Sequence, residues 1–484
     1  MSDPESVLPP AVPSFSTEKV RPKIAIHVPC YEGPDDRGPG TLTITEEQLS
    51  RHVFVTGTTG AGKSTLLRQM MRQLMAANCS DHEWKAGLVV LDFKGDDTVE
   101  FVQAAAAAAG RSADVRILSL ESEISYDFFA GCDSLERVTE YAQRLVFGCG
   151  MVDPQENKFW DDYRQALFSA ALLWLSLTRG GDRSFSRWIS HAASWLLSDS
   201  FPSNIHEDLL RLRNQLDAMR ADSPERMATQ NALQLIESWK NGLDFRTKSN
   251  ARATVQLALR PLLEIPTQRL FRSDTLLKFD VRHAVEKGRI LVVSIKAFLH
   301  PELASLIGKC LKADFYKSVF ARKPGGRFVS LVADEFQLSV TTGSPRHDDC
   351  YALPLLRSQN AGVIAASQTL AGIDRAVGGN QNRRILLCNF SLIFFLRSTE
   401  TEVENWAQQV CGTVETDVIE REKVNDLRGS GSLAEEYVRV VTRRVKRAVC
   451  EPGSLARLQT GQAYVLQEGR SPLAHPIWIA GDAP

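Results

Sequence analysis

Gly57-Thr58-Thr59-Gly60-Ala61-Gly62-Lys63-Ser64-Thr65 follows the apolar run Val53-Phe54-Val55 and opens a helical pattern carried by Leu66, Leu67, Met70, Met71, Leu74 and Met75. Strand, glycine-rich loop and helix start come in the order that a nucleotide phosphate site requires. The glycines let backbone N–H groups turn inward around phosphate oxygens, and the helix start adds its positive end. Lys63 reaches the β- and γ-phosphates, and the Ser64 hydroxyl is a ligand for Mg²⁺. The segment Gly57 to Thr65 therefore predicts binding of ATP or GTP with Mg²⁺, and the rest of the chain must select among the many activities that use such a site.

Outward from the loop, strand and helix patterns alternate. Lys23 to Thr45 alternates apolar and polar residues around a Gly/Pro/Asp-rich turn and predicts a hairpin leading into the phosphate-loop strand. Gly87 to Asp92 and Val115 to Leu120 read as further strands, so this part is α/β with a mainly parallel sheet flanked by helices. From about 126 to 285 strand patterns are scarce. Phe159, Trp160, Tyr163, Leu167, Ala170, Ala171, Trp174 and Leu177 recur at helical spacing, as do residues within 188–197, 205–219 and 227–239, which predicts an inserted all-α domain. Its tryptophans are read as core, with base stacking as the alternative. The sheet resumes at Arg289 to Ile295, Phe328 to Ala333, Gly362 to Gln368 and Ser391 to Arg397, and a late strand from Gln462 to Leu466 is expected to close an edge. The expected divisions are a proline-rich disordered tail over 1–22, then 23–125 and 286–484 as two parts of one nucleotide-binding domain around 126–285.

Composition narrows the class. The 484 residues are 43% hydrophobic and 24% charged with a formal net charge of -1, ordinary for a globular chain with a sizeable core. A uniformly basic nucleic-acid binder is excluded, whereas local basic patches are not. One such strip carries Arg439, Arg443, Arg444, Lys446 and Arg447, either as a solvated surface or as a contact for a subunit or nucleic acid. Nine cysteines, none spaced C-x-x-C, indicate neither a disulfide framework nor a zinc site and fit a reducing cytoplasm. No run approaches the roughly 18 apolar residues of a membrane span.

Hydrolysis requires a metal to balance phosphate charge and a group to act on water. Asp334-Glu335, at the end of an apolar strand, supplies both: Asp334 to hold Mg²⁺ through a water, and Glu335 one residue further out to act on the nucleophile. Gln368, at the end of the next strand, can donate to the γ-phosphate or hold the lytic water.

Asp334-Glu335-Phe336-Gln337, Arg357 and Gly362 ahead of Gln368, Asn389 before a strand ending in Arg397, and Gly461-Gln462-Ala463 together resemble the type IV coupling ATPases of bacterial conjugation, within the FtsK/HerA group of DNA motors. Arg51-His52 before the loop, and Leu91-Asp92-Phe93-Lys94-Gly95-Asp96 where that family has an Asp-x-Lys-Gly strand end, agree with it. The resemblance implies a RecA-like fold, a homohexameric ring, and ATP hydrolysed between subunits to move DNA. It also implies that Arg357 projects into the neighbouring subunit's site, a structural ion pair being its other open role, with Arg397 and Arg384 in reserve. Pore loops are expected within Leu338 to Tyr351 and Arg322 to Arg327. Conjugative members begin with a membrane anchor and this sequence begins with a proline-rich segment. The expectation is thus a cytoplasmic motor that either borrows an anchor from a membrane or mobile-element partner protein or works free on a mobile element or in a defence system. An NTP-dependent gate or assembly protein that moves no DNA is the alternative, and a secretion ATPase handling protein cargo is a third reading.

Overall fold

Apolar residues that alternate between two faces of a strand need cover on both sides, and the computed structural model provides it. It describes residues 22–31, 40–129, 135–148, 158–179, 205–241, 260–272, 277–342, 348–425, 436–469 and 476–479, with positions 249 and 253. The expected tail over 1–22 falls almost wholly outside these. In chain order the strands are β1 (Ala25–Tyr31), β2 (Gly40–Thr45), β3 (Val53–Thr56), β4 (Gly87–Asp92), β5 (Val115–Leu118), β6 (Ser125–Tyr126), β7 (Lys278–Phe279), β8 (Ile290–Ser294), β9 (Val329–Ala333), β10 (Ala361–Ser367), β11 (Leu392–Leu396), β12 (Thr413–Asn425), β13 (Glu436–Ala448), β14 (Gln462–Gln467) and β15 (Ile477–Ile479).

Eleven of them form one sheet in the order β2-β1-β15-β14-β11-β3-β10-β9-β4-β8-β5. From β11 to β5 every neighbouring pair is parallel. Phe54, Val89, Leu91, Leu331 and Val363 pack into a core on one face with the helix Pro301–Ala321. Val53, Val55, Leu88, Val90, Val332 and Ile364 pack into a core on the other with the helix Lys63–Ala76. This is the doubly covered parallel sheet expected from the alternation of strand and helix.

The edge differs from expectation. The strand from Gln462 lies inside the sheet, antiparallel to both β11 and β15. Beyond it the β1–β2 hairpin adds two further antiparallel strands through the Cys30–Ile479 pairing. The expected N-terminal hairpin is therefore present, and it closes the sheet edge in place of β14. Close backbone approach fixes two glycines. A Cβ on Gly362 would lie 2.2 Å from the Leu49 carbonyl oxygen, and one on Gly87 would lie 2.1 Å from that of Ala284.

Between β6 and β7, which pair in parallel, the described residues are helical, chiefly Leu135–Gly148, Lys158–Arg179, Ile205–Ala218 and Pro224–Asn241. Trp174 is buried at 6% exposure, as core packing requires. The side chains of Phe159, Trp160, Tyr163 and Leu167 lie outside the described residues. The charged segment around 419–447 forms an antiparallel ribbon of two 13-residue strands, β12 and β13, which sets Glu415 opposite Lys446 and Asp417 opposite Arg444.

Candidate nucleotide site

The C-terminal ends of β3, β10, β9 and β4 lie side by side, so loops far apart in sequence meet at one rim of the sheet. Gly60 and Gly62, with φ of 76° and 105°, take the left-handed conformation that lets the loop curl before the helix starts at Lys63. The loop is also braced from outside. A Cβ on Gly57 would fall 2.9 Å from Leu396 Cβ, Thr58 N–H donates to the Arg397 carbonyl at 2.8 Å, and Gly461 N–H donates to the Ala61 carbonyl at 3.1 Å. Thr460 Oγ1 donates to the Gly60 carbonyl at 3.1 Å. Gly461 and Arg397, which resemblance alone had flagged, are thus buttresses of the phosphate loop.

Lys63 folds over this loop, donating to the Gly57 carbonyl at 2.6 Å and the Thr58 carbonyl at 3.0 Å. Burial, and secondarily the nearby Lys94 ammonium, hold its pKa below the ordinary lysine value. Ser64 Oγ donates to Asp334 Oδ2 at 3.1 Å, which brings the two expected Mg²⁺ residues together. Among the described residues no group of three or more His, Cys, Asp or Glu side chains gathers to hold a metal. One hydroxyl and one carboxylate suit Mg²⁺ that arrives with substrate phosphates and keeps several waters. A buried Asp334 Oδ1 with no hydrogen-bond partner is a further open acceptor at this place.

Glu335 is only 8% exposed and has a φ of 65°. A non-glycine residue in that region carries strain that persists where the surroundings overdetermine it, often at functional sites. Here two amides clamp the carboxylate. Gln368 Nε2 donates to Oε1 at 2.6 Å and Gln337 Nε2 donates to Oε2 at 2.6 Å. Gln368 Oε1 in turn accepts from Thr59 Oγ1 of the phosphate loop at 3.1 Å, so a single side chain bridges loop and carboxylate. Gln337 is anchored by Ser367 Oγ at 3.0 Å. Its position two residues after Glu335 was legible, but its role was not.

Lys94 was also missed as a participant. Its Nζ donates to Asp334 Oδ2 at 2.6 Å and to Ser64 Oγ at 3.0 Å, and lies 3.7 Å from Glu335 Oε1. The turn that carries it is built by Asp92, whose Oδ1 accepts from the N–H groups of Lys94 and Gly95, both at 3.2 Å, and whose Oδ2 accepts from Ser294 Oγ at 2.8 Å. β4 lies directly beside β9, so an Asp-x-Lys-Gly strand end delivers an ammonium to the Asp334 carboxylate.

Arg357 stays apart from this cluster. It precedes β10, whose length of about 20 Å separates it from Gln368, and it pairs at the surface with Glu47 at 3.0 Å. Arg384 is on the separate helix Asn380–Leu387. In the expected loop over Arg322 to Arg327, both arginines donate to carbonyls of their own chain, Arg322 to Arg327 and Asn360, and Arg327 to Lys85 and His82. Of the expected loop over Leu338 to Tyr351, residues 343–347 lie outside the described residues.

A family model described as the type IV secretion-system coupling protein DNA-binding domain matches residues 38–193. The chain resembles the type IV coupling proteins. A solved bacterial conjugative coupling protein, TrwBdeltaN70 in its unbound form, is 17% identical over 91% of this chain and 89% of its own, with a TM-score of 0.58. The plasmid coupling protein TrwB in complex with a non-hydrolysable ATP analogue is 18% identical over 90% of this chain and 88% of its own, with a TM-score of 0.59. VirB4 of Thermoanaerobacter pseudethanolicus is 12% identical over 95% and 96%, with a TM-score of 0.53. No curated protein sequence matches. At these identities the likeness establishes the fold alone, a RecA-like α/β sheet flanked by helices. No helix among the described residues is long and apolar enough to cross a membrane.

Proposed function

We propose that the chain is a Mg²⁺-dependent P-loop ATPase of the coupling-protein type that acts on DNA as an oligomer. The observation that carries this reading is the convergence of Lys63, Ser64, Asp334, Glu335 and Gln368 on one rim of the sheet. The N–H groups of Gly57 to Thr65 bind the α- and β-phosphates, and Lys63 leaves its loop carbonyls for the β- and γ-phosphates. Ser64 and Asp334 would hold Mg²⁺, which would supply positive charge against the phosphates. Glu335, aimed by the two glutamine amides, takes a proton from the attacking water, while Gln368 reports the state of the γ-phosphate to Thr59 and Glu335. Water oxygen bonds to the γ-phosphorus as the bond to the β-γ bridging oxygen breaks, giving ADP and phosphate.

DNA as the partner is supported by the family matched over 38–193. In this reading the protein is cytoplasmic and forms a homo-oligomer, a hexamer by analogy. Arg357, exposed at 53%, reaches a neighbour's site after leaving Glu47. The chain divides into 23–125 and 286–484 around an all-α unit over 126–285, and the DNA is translocated or recruited through the ring. Phosphate release by purified protein, with and without single- and double-stranded DNA at low salt, tests the reading. Turnover that is abolished in Lys63→Ala and stimulated by DNA supports it. Turnover indifferent to both kinds of DNA removes the DNA component and leaves the NTP-dependent gate.

A further inference from the structure

We propose that Lys94 is a tethered competitor of the divalent cation: its ammonium caps Ser64 Oγ and Asp334 Oδ2, the two groups that would hold the metal, so Mg²⁺ loading and Lys94 release are one event. This rests on the ATPase reading and deepens it.

The geometry is specific. Ser64 and Asp334 already touch at 3.1 Å, and Lys94 Nζ caps both oxygens at 3.0 and 2.6 Å. A divalent cation held by the same two side chains would be repelled by the ammonium and would need the oxygens that it caps, so the two compete. Asp334 Oδ1 is buried and lacks a hydrogen-bond partner, which the ammonium therefore does not satisfy and a metal with its waters can. The turn beneath Lys94 is braced. Two N–H groups bond to the Asp92 carboxylate, and Gly95, with φ of 63°, packs so closely on Lys296 that a Cβ would lie 2.2 Å from its Cγ. The lysine side chain itself is 28% exposed, so it has solvent to swing into while its backbone stays fixed. The same ammonium lies 3.7 Å from Glu335 Oε1. Its departure removes a cation from both carboxylates together, which links metal arrival to exposure of the group that acts on water.

A positively charged side chain in a metal's place has two opposite consequences. It weakens metal binding, and it helps a metal-free triphosphate to bind by supplying part of the missing charge. Lys94→Met and Lys94→Gln remove the charge, and Lys94→Arg keeps it. Mn²⁺ binding is read by electron paramagnetic resonance in the presence of a non-hydrolysable ATP analogue, and analogue binding without metal is read by calorimetry, with circular dichroism to verify folding. Loss of the charge is expected to tighten Mn²⁺ binding at least about fivefold and to weaken metal-free analogue binding by a similar factor, with Lys94→Arg close to wild type on both. A merely structural lysine would weaken both or neither. Unchanged Mn²⁺ affinity in folded Lys94→Met and Lys94→Gln, with the analogue still bound, overturns the competitor and spares the ATPase reading. Failure of the wild-type protein to bind the analogue with Mn²⁺ overturns both.

Discussion

Glu335 stands between two amide donors on a strained backbone, so its carboxylate is held in place before any substrate arrives. Glu335→Gln keeps the size and shape of the side chain and removes its carboxylate; with Glu335 as the proposed base, turnover should fall by at least about a hundredfold while nucleotide affinity is retained. Phosphate release and binding of a fluorescent ATP analogue separate the two effects, and equal losses in both would mean that Glu335 acts in binding. His52 offers a stability prediction. Its Nδ1 accepts from Val363 N–H at 3.0 Å, so the proton is on Nε2, which donates to the Leu353 carbonyl at 2.8 Å. Burial pushes its pKa down to about 4 from an ordinary value of 6.5. The unfolded chain therefore binds the proton first as pH falls. The neutral, fully bonded histidine contributes its whole stability above pH 6.5, and this is lost progressively toward pH 4, to a total of about 3 kcal/mol. Urea midpoints at pH 7.5 and 4.5 measure it, and His52→Gln should show the smaller difference between the two. A dependence on pH as steep as that of the wild-type protein would remove His52 as the cause.

At the scale of elements, the phosphate-loop strand and helix, the Asp334-Glu335 strand end and the Gln368 strand end were legible because each is a continuous local pattern of adjacent residues. Strand neighbours in a parallel sheet are not adjacent in sequence, so nothing local reveals that Lys94 at the end of β4 meets Asp334 at the end of β9. For the same reason Gly461-Gln462-Ala463 could be quoted without the contact of Gly461 to Ala61 being foreseen. The sheet edge was misjudged because β15 is only three residues long and carries no alternation to read. β12 and β13 were equally obscure, since their alternation of charges fits a helix face or a ribbon and only pairing settles which. Gly362 tests whether close packing between β10 and the helix Glu46–Ser50 is a design constraint. Gly362→Val forces a side chain into backbone 2.2 Å away and should cost at least about 2 kcal/mol in chemical denaturation. A change near zero would show that the helix Glu46–Ser50 can shift without loss.

At the scale of the whole molecule, the open question is whether one chain contains a complete engine. Within one chain the site contains the Glu335 carboxylate, the Gln368 amide and Lys63, while Arg357 lies about 20 Å along β10 in an exposed pair with Glu47. Such a surface pair contributes little to stability, about 0 to 1 kcal/mol, so removing it should not unfold the protein. If Arg357 completes a neighbour's site, Arg357→Ala should abolish turnover without weakening nucleotide binding, because a planar cationic fork on the γ-phosphate acts mainly in the transition state. Mixing then decides the matter. Glu335→Gln and Arg357→Ala are each inactive alone, but in a mixed ring an interface that takes Glu335 from one variant and Arg357 from the other has every part. Random mixing at equal amounts produces such interfaces in roughly a quarter of cases, so turnover should reappear at up to about that fraction of wild type. Arg357→Ala with full activity, or a mixture as inert as its components, would assign Arg357 to its ion pair with Glu47 and leave each chain to hydrolyse nucleotide by itself.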